Sequence, residues 1–597
     1  AIWPVDNGGY AFVGGDAFDP RIFDLTADAI AQAIRDAVAR LEPARIGVGL
    51  HELRGASRNR AGDAFRLNED IKTLTAAEQQ ALSIDPYVSV IRVDDAAGRP
   101  MAVWSNFAIH GTSFDEENPF ISGDNMAASA RLAERWIRER TPAGQRRSQP
   151  IVNVWTNGTE GDVSPDGDNR TLGGQAQWYL EGEAAKAHIA GMRTAEGIVA
   201  AWEDADKNMT STPLLGARRS LMTFDGSEHG ATAASAEPVG PSPVLGLGVV
   251  AEGICAPVDG MAGPGQGMKA PLVGGPPPVA PAVHPISFWQ VERLGIASIP
   301  AEVTTQMGRR IQTALVENSA GALDRVAIAG MTNAYISYTA TPEEYDKCDY
   351  EGSFTLYGRQ MGYAWLDGMA GLQTALMRGE EAATLPEPPV LGLGSSASTP
   401  PRVTAAAGTA VAQPASTTRY GQATFTWQGG DPHVDAPRGE TFVALQRQVG
   451  EGWLTVDTDE SFSDTVARAK GDVWTETYQF DRCAVLGTYR FLVTGKAVKA
   501  NTAPAESYSV ASQPFAVGPV AIGGITSAVD GDQVEIRALY PKPATGLLAL
   551  PRLVTDGAVR IGGHTIQQAD ADGVWRAPAS QAGKEIAVTD DCGNTSA

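Results

Sequence analysis

Four short segments carry side chains able to do chemistry. NFAIHGTSF closes an apolar, β-branched run at His110, an imidazole that can serve as base or metal ligand, although a lone histidine at a strand end is usually a polar loop residue. WTNGTEGDVSPDGDN follows the run IVNVW and sets Ser164 between a Gly-Asp pair and a proline, a pattern that more often means a simple turn. SIPAEVTTQMGRRIQTAL puts Glu302 just past a strand and at a helix start, where a carboxylate also serves as favourable charge near the helix N-terminus. TNAYISYTATPEEYDKCDYEGS gathers Tyr335, Tyr338, Tyr345 and Tyr350, which by default pack with their hydroxyls at the surface. Singly, none of these is a widely used motif.

The elements that must position these residues follow from periodicity. Ile30, Ile34, Ala37, Val38 and Leu41 recur at helical spacing in DLTADAIAQAIRDAVARL, with Thr26 as a cap and an acidic first turn. Strands are predicted over 45–50 and on both sides of the turn at 94–99, where SVIRVDD and MAVWSNFAIH are rich in β-branched and aromatic residues. Helices are predicted in MAASARLAERWIRER and QAQWYLEGEAAKAHIAGMRTAEGIVAAWED. The mixture over residues 1–384 reads as one large α/β or α+β domain. Within it, 263–281 reads as a surface loop, because its prolines lack amide donors and its glycines loosen the backbone. A Pro, Ser and Gly-rich linker over 385–402 follows. Short alternating segments then predict an immunoglobulin-like antiparallel β-sandwich over 403–517 and a small β domain over 518–597.

Composition narrows the function classes. A chain of 597 residues is too long for one core, so the protein is multidomain. With 47 Lys+Arg against 70 Asp+Glu, a net charge of −23 repels phosphate backbones, and nucleic acid is excluded as a partner. Cys255, Cys348, Cys483 and Cys592 lie far apart without C-x-x-C spacing, so at most two long-range disulfides form. No run approaches the ~20 apolar residues of a membrane span. Ala1 reads as a cut or trimmed end, with an upstream segment removed or not shown.

Taken in order, these segments resemble the neutral ceramidase family, zinc-dependent hydrolases of N-acylsphingosines. NRA at 59–61 is similar to the family's N-R-S segment, NFAIHGTS to its F-x-x-H-x-T-S strand, and ISGDN at 121–125 to its S-x-D-N segment. EGDVSPD is similar to G-D-V-S-P-N, IPAEVTTQMGRR to P-x-E-x-T-T-x-x-G-R-R, and NAYISYTATPEEY with DYEGS to the tyrosine-rich stretch. The likeness runs from the first helix to about residue 515. It implies a mixed α/β catalytic domain in which His110, Glu302 and Tyr338 hold Zn²⁺, Arg60 and Tyr350 hold the amide carbonyl, Ser164 is the catalytic serine, and Asp124 and Asn125 bind substrate. The chemistry is coherent. An amide is a poor electrophile, and a metal that polarises its carbonyl and lowers the pKa of a bound water supplies nucleophile and charge stabilisation together. Arg60 and the Tyr350 hydroxyl then donate to the developing oxyanion. Ser164 either attacks or orients the substrate.

Two departures from the family pattern stand out. Asp166 replaces the usual asparagine, which puts a further negative charge near Ser164. The family's H-x-H-S segment, which carries a zinc ligand, belongs upstream of the helix near Asp24 and is absent, His51 being a weak substitute. The expected source of the missing histidine is an upstream cleaved segment or a second chain. Three readings follow: a secreted or periplasmic zinc amidase on ceramide or a related N-acyl lipid, an amidase on another N-acyl substrate such as an acylated amino acid or aminolipid, and a noncatalytic cell-surface binding protein. The first implies contact with a membrane surface and an apolar groove, for which loop 263–281 and Phe107, Phe114 and Phe120 are the candidates. The β domains are expected to carry no catalytic residue.

Overall fold

The computed structural model describes residues 20–114, 122–165, 183–230, 235–274, 280, 282–382, 385, 402–431, 434–435, 441–459, 465–500, 504–541, 553–554, 557–567, 569 and 573–596. By contacts the chain divides into two compact units. One comprises 1–113, 129–168 and 190–396, and the other 114–128, 169–189 and 397–597.

The first unit holds two four-stranded sheets. One runs Ala44–Glu52, Tyr87–Asp95, Pro100–Phe107, Val152–Asn157, and the other Arg325–Ala329, Leu294–Ser298, Val283–Val291, Leu215–Thr223. One face of the first sheet buries Val88, Val90 and Val103 against Leu132, Ile137, Ile198 and Trp202 of the helices Asp124–Arg140 and Glu183–Ala205. Its other face meets the second sheet, where Val48, Ile91 and Trp104 pack on Leu294, Ile296, Ala327 and Ala329. The helices Thr305–Asn318 and Met361–Arg378 cover the far side, through Met307, Ile311, Leu315, Trp365, Met369 and Leu372. The result is a helix, sheet, sheet, helix stack, in which alternate residues of a strand serve different layers.

Each sheet contains one parallel pair. Pro100–Phe107 runs parallel to Val152–Asn157, and Leu294–Ser298 parallel to Arg325–Ala329. Parallel pairing brings the C-terminal ends of two strands to the same edge, and the candidate residues leave from those ends: His110 after Phe107, Ser164 after Asn157, Glu302 after Ser298 and Tyr338 after Ala329.

Several expectations are corrected. The first helix forms over Pro20–Ala39, but the stripe that should have faced a core is exposed at Ile30, Ile34, Val38 and Leu41 among the described residues. Part of loop 263–281 is a strand, Pro271–Gly274, paired with Val244–Gly246; its residues 275–279 and 281 lie outside the described set. Phe107 is 1 % exposed inside the core, so it lines no groove; Phe120 and Asp166 lie outside the described residues.

In the second unit, a four-stranded sheet (Thr409–Ala412, Gln422–Gln428, Val473–Gln479, Thr465–Lys470) and a six-stranded one share a core of Phe425, Trp427, Phe442, Trp474, Phe480, Phe491 and Phe515. Among the described residues its strand pairs are antiparallel except Thr417–Thr418 with Phe515–Gly518, and an isolated bridge joins Val403 and Val498 in parallel. Two three-stranded sheets beyond Gly523 bury Val534, Ile536, Val559, Trp575 and Val588. The chain's two disulfides are Cys255–Cys348 and Cys483–Cys592.

Candidate active site

Two-residue strands deliver the site. Glu302–Val303 pairs in parallel with Tyr338–Thr339, which sets Glu302 directly beside Tyr338. Val163–Ser164 pairs with Arg58–Asn59, so Ser164 lies opposite Arg58, and Arg60 N donates to Asp162 O. The loop 158–163 ties these pieces together: Gly158 N donates to Phe107 O, Gly161 N to Val303 O, and His110 N to Val163 O. A Cβ on Gly161 would lie 2.8 Å from Glu302 O and 2.9 Å from Thr304 N, so only glycine lets the two backbones meet. In the connection leading to Tyr338, Met331, Asn333 and Ser337 have left-handed φ of 52°, 66° and 71°, each costing about 1 kcal/mol or more.

The side chains converge on His110. Its Nε2 lies 2.8 Å from Glu302 Oε2 and 3.3 Å from Tyr338 Oη. Its Nδ1 lies 3.1 Å from Val163 O, and a carbonyl can only accept, so Nδ1 carries a proton. Nε2 therefore turns its second valence toward a carboxylate, and two such acceptors at this distance require a proton or a cation between them. Tyr335 donates to the other Glu302 oxygen, Oε1. Burial disfavours the Glu302 carboxylate, but the hydrogen bond and charge of His110 outweigh it and hold the carboxyl below its ordinary value. Burial first, and the charge of Glu302 second, push the Tyr338 hydroxyl far above its ordinary value.

Arg60 is the fixed cation of the site. Its Nε donates to Glu351 Oε1 at 3.0 Å, and its Nη2 to Gly161 O and to Tyr338 Oη, both at 3.1 Å. Burial opposes its charge, but Tyr338 and Glu351 more than restore it. The guanidinium carbon sits 5.8 Å from the Tyr338 ring and 5.7 Å from the Tyr350 ring, and the two rings meet edge-on at 5.5 Å. A cleft of about 670 Å³ opens beside Arg60 and Tyr350, with Asp63, Arg66, Glu252, Lys347 and Asp349 in its walls. It is polar and charged rather than the apolar groove expected.

The tyrosine run differs from its default reading, since Tyr335, Tyr338 and Tyr345 all point their hydroxyls at protein partners. Glu302 is not the charge at the helix start. Asp162 takes that role, accepting from both the amide and the hydroxyl of Thr305 at 2.7 Å and from Asn59 Nδ2 at 2.6 Å. Burial, with Glu344 next, pushes the Asp162 carboxyl up to about 7. Sequence reasoning missed Glu160, Asp162, Tyr335 and Glu351 as parts of the site, although all four lie within the quoted segments. Asp124 and Asn125 belong to the other compact unit: Asp124 (φ 52°) accepts from Phe114 N, and from Asn125 N and Nδ2.

The donors fit a metal ion. Histidine nitrogen, carboxylate and phenol oxygen are an N/O set suited to zinc, and a zinc-ligating histidine ordinarily donates its other N–H to a carbonyl or carboxylate, as His110 Nδ1 does to Val163 O. Among the described residues no three His, Cys, Asp or Glu side chains gather as a metal shell; the third donor here is a tyrosine.

A family model described as neutral/alkaline non-lysosomal ceramidase, N-terminal, matches residues 12–173 and 268–367. The chain is similar to the neutral ceramidase of Mycobacterium tuberculosis, 27 % identical over 474 residues, covering 74 % of this chain and 72 % of that one. It is similar to the neutral ceramidase of Pseudomonas aeruginosa at 26 % over 496 residues, covering 78 % and 71 %. In fold it matches the crystal structure of the P. aeruginosa neutral ceramidase with TM-score 0.70 at 24 % identity, over 84 % of this chain and 81 % of that one. It also matches a ceramidase complexed with C2, TM-score 0.73 at 23 % identity, over 86 % and 84 %.

Proposed function

The chain belongs to the neutral/alkaline non-lysosomal ceramidase family, and on that premise we propose that it hydrolyses the amide bond of ceramide or a related N-acyl lipid to a fatty acid and an amine such as sphingosine, with Zn²⁺ as cofactor. The observation that carries the reading is the facing of His110 Nε2 and Glu302 Oε2 at 2.8 Å, with Tyr338 Oη beside them. A zinc ion held by these three supplies a Lewis acid and a water of lowered pKa.

The chain's own groups do the rest. Arg60, fixed by Glu351 and the Gly161 carbonyl, presents a preorganised positive charge to the oxygen on which negative charge develops. The Tyr350 hydroxyl is the neighbouring donor. Both ring nitrogens of His110 are engaged away from Ser164, at Val163 O and at Glu302 with Tyr338, which supports Ser164 as a group that orients substrate rather than the attacking nucleophile. The charged cleft walls, Arg66 and Lys347 among them, support a second reading in which the N-acyl substrate is an acylated amino acid or aminolipid. Two disulfides support a secreted or periplasmic setting.

The test is Glu302→Ala, assayed for bound zinc and for hydrolysis of a series pairing acyl lengths with sphingosine, aminolipid and amino-acid head groups. Loss of zinc together with loss of turnover on the sphingosine series is expected. Full turnover without zinc overturns the metal assignment, and hydrolysis confined to acylated amino acids transfers the reading to the second substrate class.

A further inference from the structure

Glu160 has no place in the chemistry described so far, yet it occupies the middle of the loop that ties the His110 and Glu302 segments together. It is 0 % exposed, and neither carboxylate oxygen has a hydrogen-bond partner in another residue. The protein is shaped around it. A Cβ on Gly330 would lie 2.7 and 2.8 Å from its two oxygens, so any larger residue there collides with the carboxyl. Burial first, and then the charges of Glu302 and Asp162, push its carboxyl well above the ordinary range. A buried, unpartnered carboxyl beside other acids is among the more costly features a fold can hold. Leucine or glutamine would fill the same volume at less cost.

A cation converts that cost into a gain. We propose that Glu160 is a positioning residue behind Glu302, outside the donor set itself, whose carboxylate, ionised when a divalent cation occupies His110, Glu302 and Tyr338, tightens that binding. The inference rests on the metal reading above and adds to it a residue that touches neither substrate nor reacting atoms. Because charges interact more strongly where water is excluded, a carboxylate here attracts a divalent ion far more than an exposed one would. The expected pattern is a trade between stability and affinity, since the group that destabilises the metal-free fold stabilises the loaded one.

The test is Glu160→Gln, nearly the same shape without the charge, on the full chain. Zinc affinity is measured by chelator competition, and melting temperature with and without zinc. The expected result is a dissociation constant raised by about 10-fold or more, the scale of losing one nearby carboxylate's attraction for a divalent ion, together with a higher melting temperature of the metal-free protein and a smaller rise on adding zinc. Gly330→Ala, which displaces the carboxyl and keeps its charge, is expected to weaken zinc binding in the wild-type background and not in the Glu160→Ala background. A wild-type protein that binds no zinc brings down the metal reading itself. Wild-type zinc binding that Glu160→Gln leaves unchanged overturns this proposal alone, and so does equal weakening by Gly330→Ala in both backgrounds.

Discussion

Two buried carboxyls, one in each compact unit, solve the same problem in opposite ways. In the β-sandwich, Asp435 accepts from the amides of Gly430 and Lys496 and from the Tyr508 hydroxyl, which in turn takes the Trp427 indole N–H at 3.0 Å. In the candidate site, Glu160 accepts from no other residue and faces two more acids. The sandwich corner spends its donors on holding the fold. The site loop leaves a carboxyl unpartnered, where stability is given up for something outside the protein to answer. Buried ionisable groups are therefore informative chiefly through their partners.

That contrast predicts a double dissociation. Arg60→Ala should lower turnover by about 100-fold or more, the scale for losing a preorganised oxyanion donor, while zinc content stays near wild type and the melting temperature moves little. A comparable loss in Arg60→Ala of stability and zinc would instead make Arg60 a structural tie to Glu351. Ser164→Ala sharpens the site side further. An orienting serine predicts a loss of roughly 10-fold, expressed largely in KM, whereas a nucleophile predicts a collapse of kcat by about 10⁴ or more.

On the other side, Asp435→Ala strands Gly430 N and the Tyr508 hydroxyl, while Lys496 N keeps the residue 435 carbonyl, and should destabilise the sandwich by about 2–4 kcal/mol. Turnover by the folded enzyme should be unchanged, and a drop in kcat at temperatures where the variant is fully folded would break the comparison. The smallest effect is in pH. Burial pushes the folded Asp435 carboxyl up to about 6 from an ordinary value of 3.8. The folded state therefore holds the proton more tightly than the unfolded one, and this contribution is full below about pH 4 and lost as pH rises through 6. Asp435→Asn should flatten that part of the stability curve in urea titrations from pH 4 to 7, and an unchanged slope would remove Asp435 as its source.

Long elements were legible because periodicity needs length. The strands Tyr87–Asp95 and Pro100–Phe107 and the helix Asp124–Arg140 stand where alternation and helical spacing put them. The two-residue strands Val163–Ser164, Glu302–Val303 and Tyr338–Thr339 have no period to read, and they are what assemble the site. Local reasoning gave Glu302 to the helix start, whereas that place is filled by Asp162, 143 residues earlier than Thr305. Colinear motifs found His110, Glu302 and Tyr338 without their geometry. Glu160 was invisible because only burial on all sides separates it from a surface glutamate. The apolar stripe of Pro20–Ala39 marked a helix correctly and said nothing of whether a core lies against it.

The central claim is that one metal ion is held by His110, Glu302 and Tyr338. A crystal structure of zinc-loaded protein with anomalous data at the zinc edge tests it most directly. The account predicts a single strong peak about 2.0–2.2 Å from His110 Nε2, a Glu302 oxygen and Tyr338 Oη, with His110 Nδ1 still on the Val163 carbonyl. A peak elsewhere, or a loaded protein in which His110 Nε2 and Glu302 Oε2 remain 2.8 Å apart as a simple hydrogen-bonded pair, would contradict it.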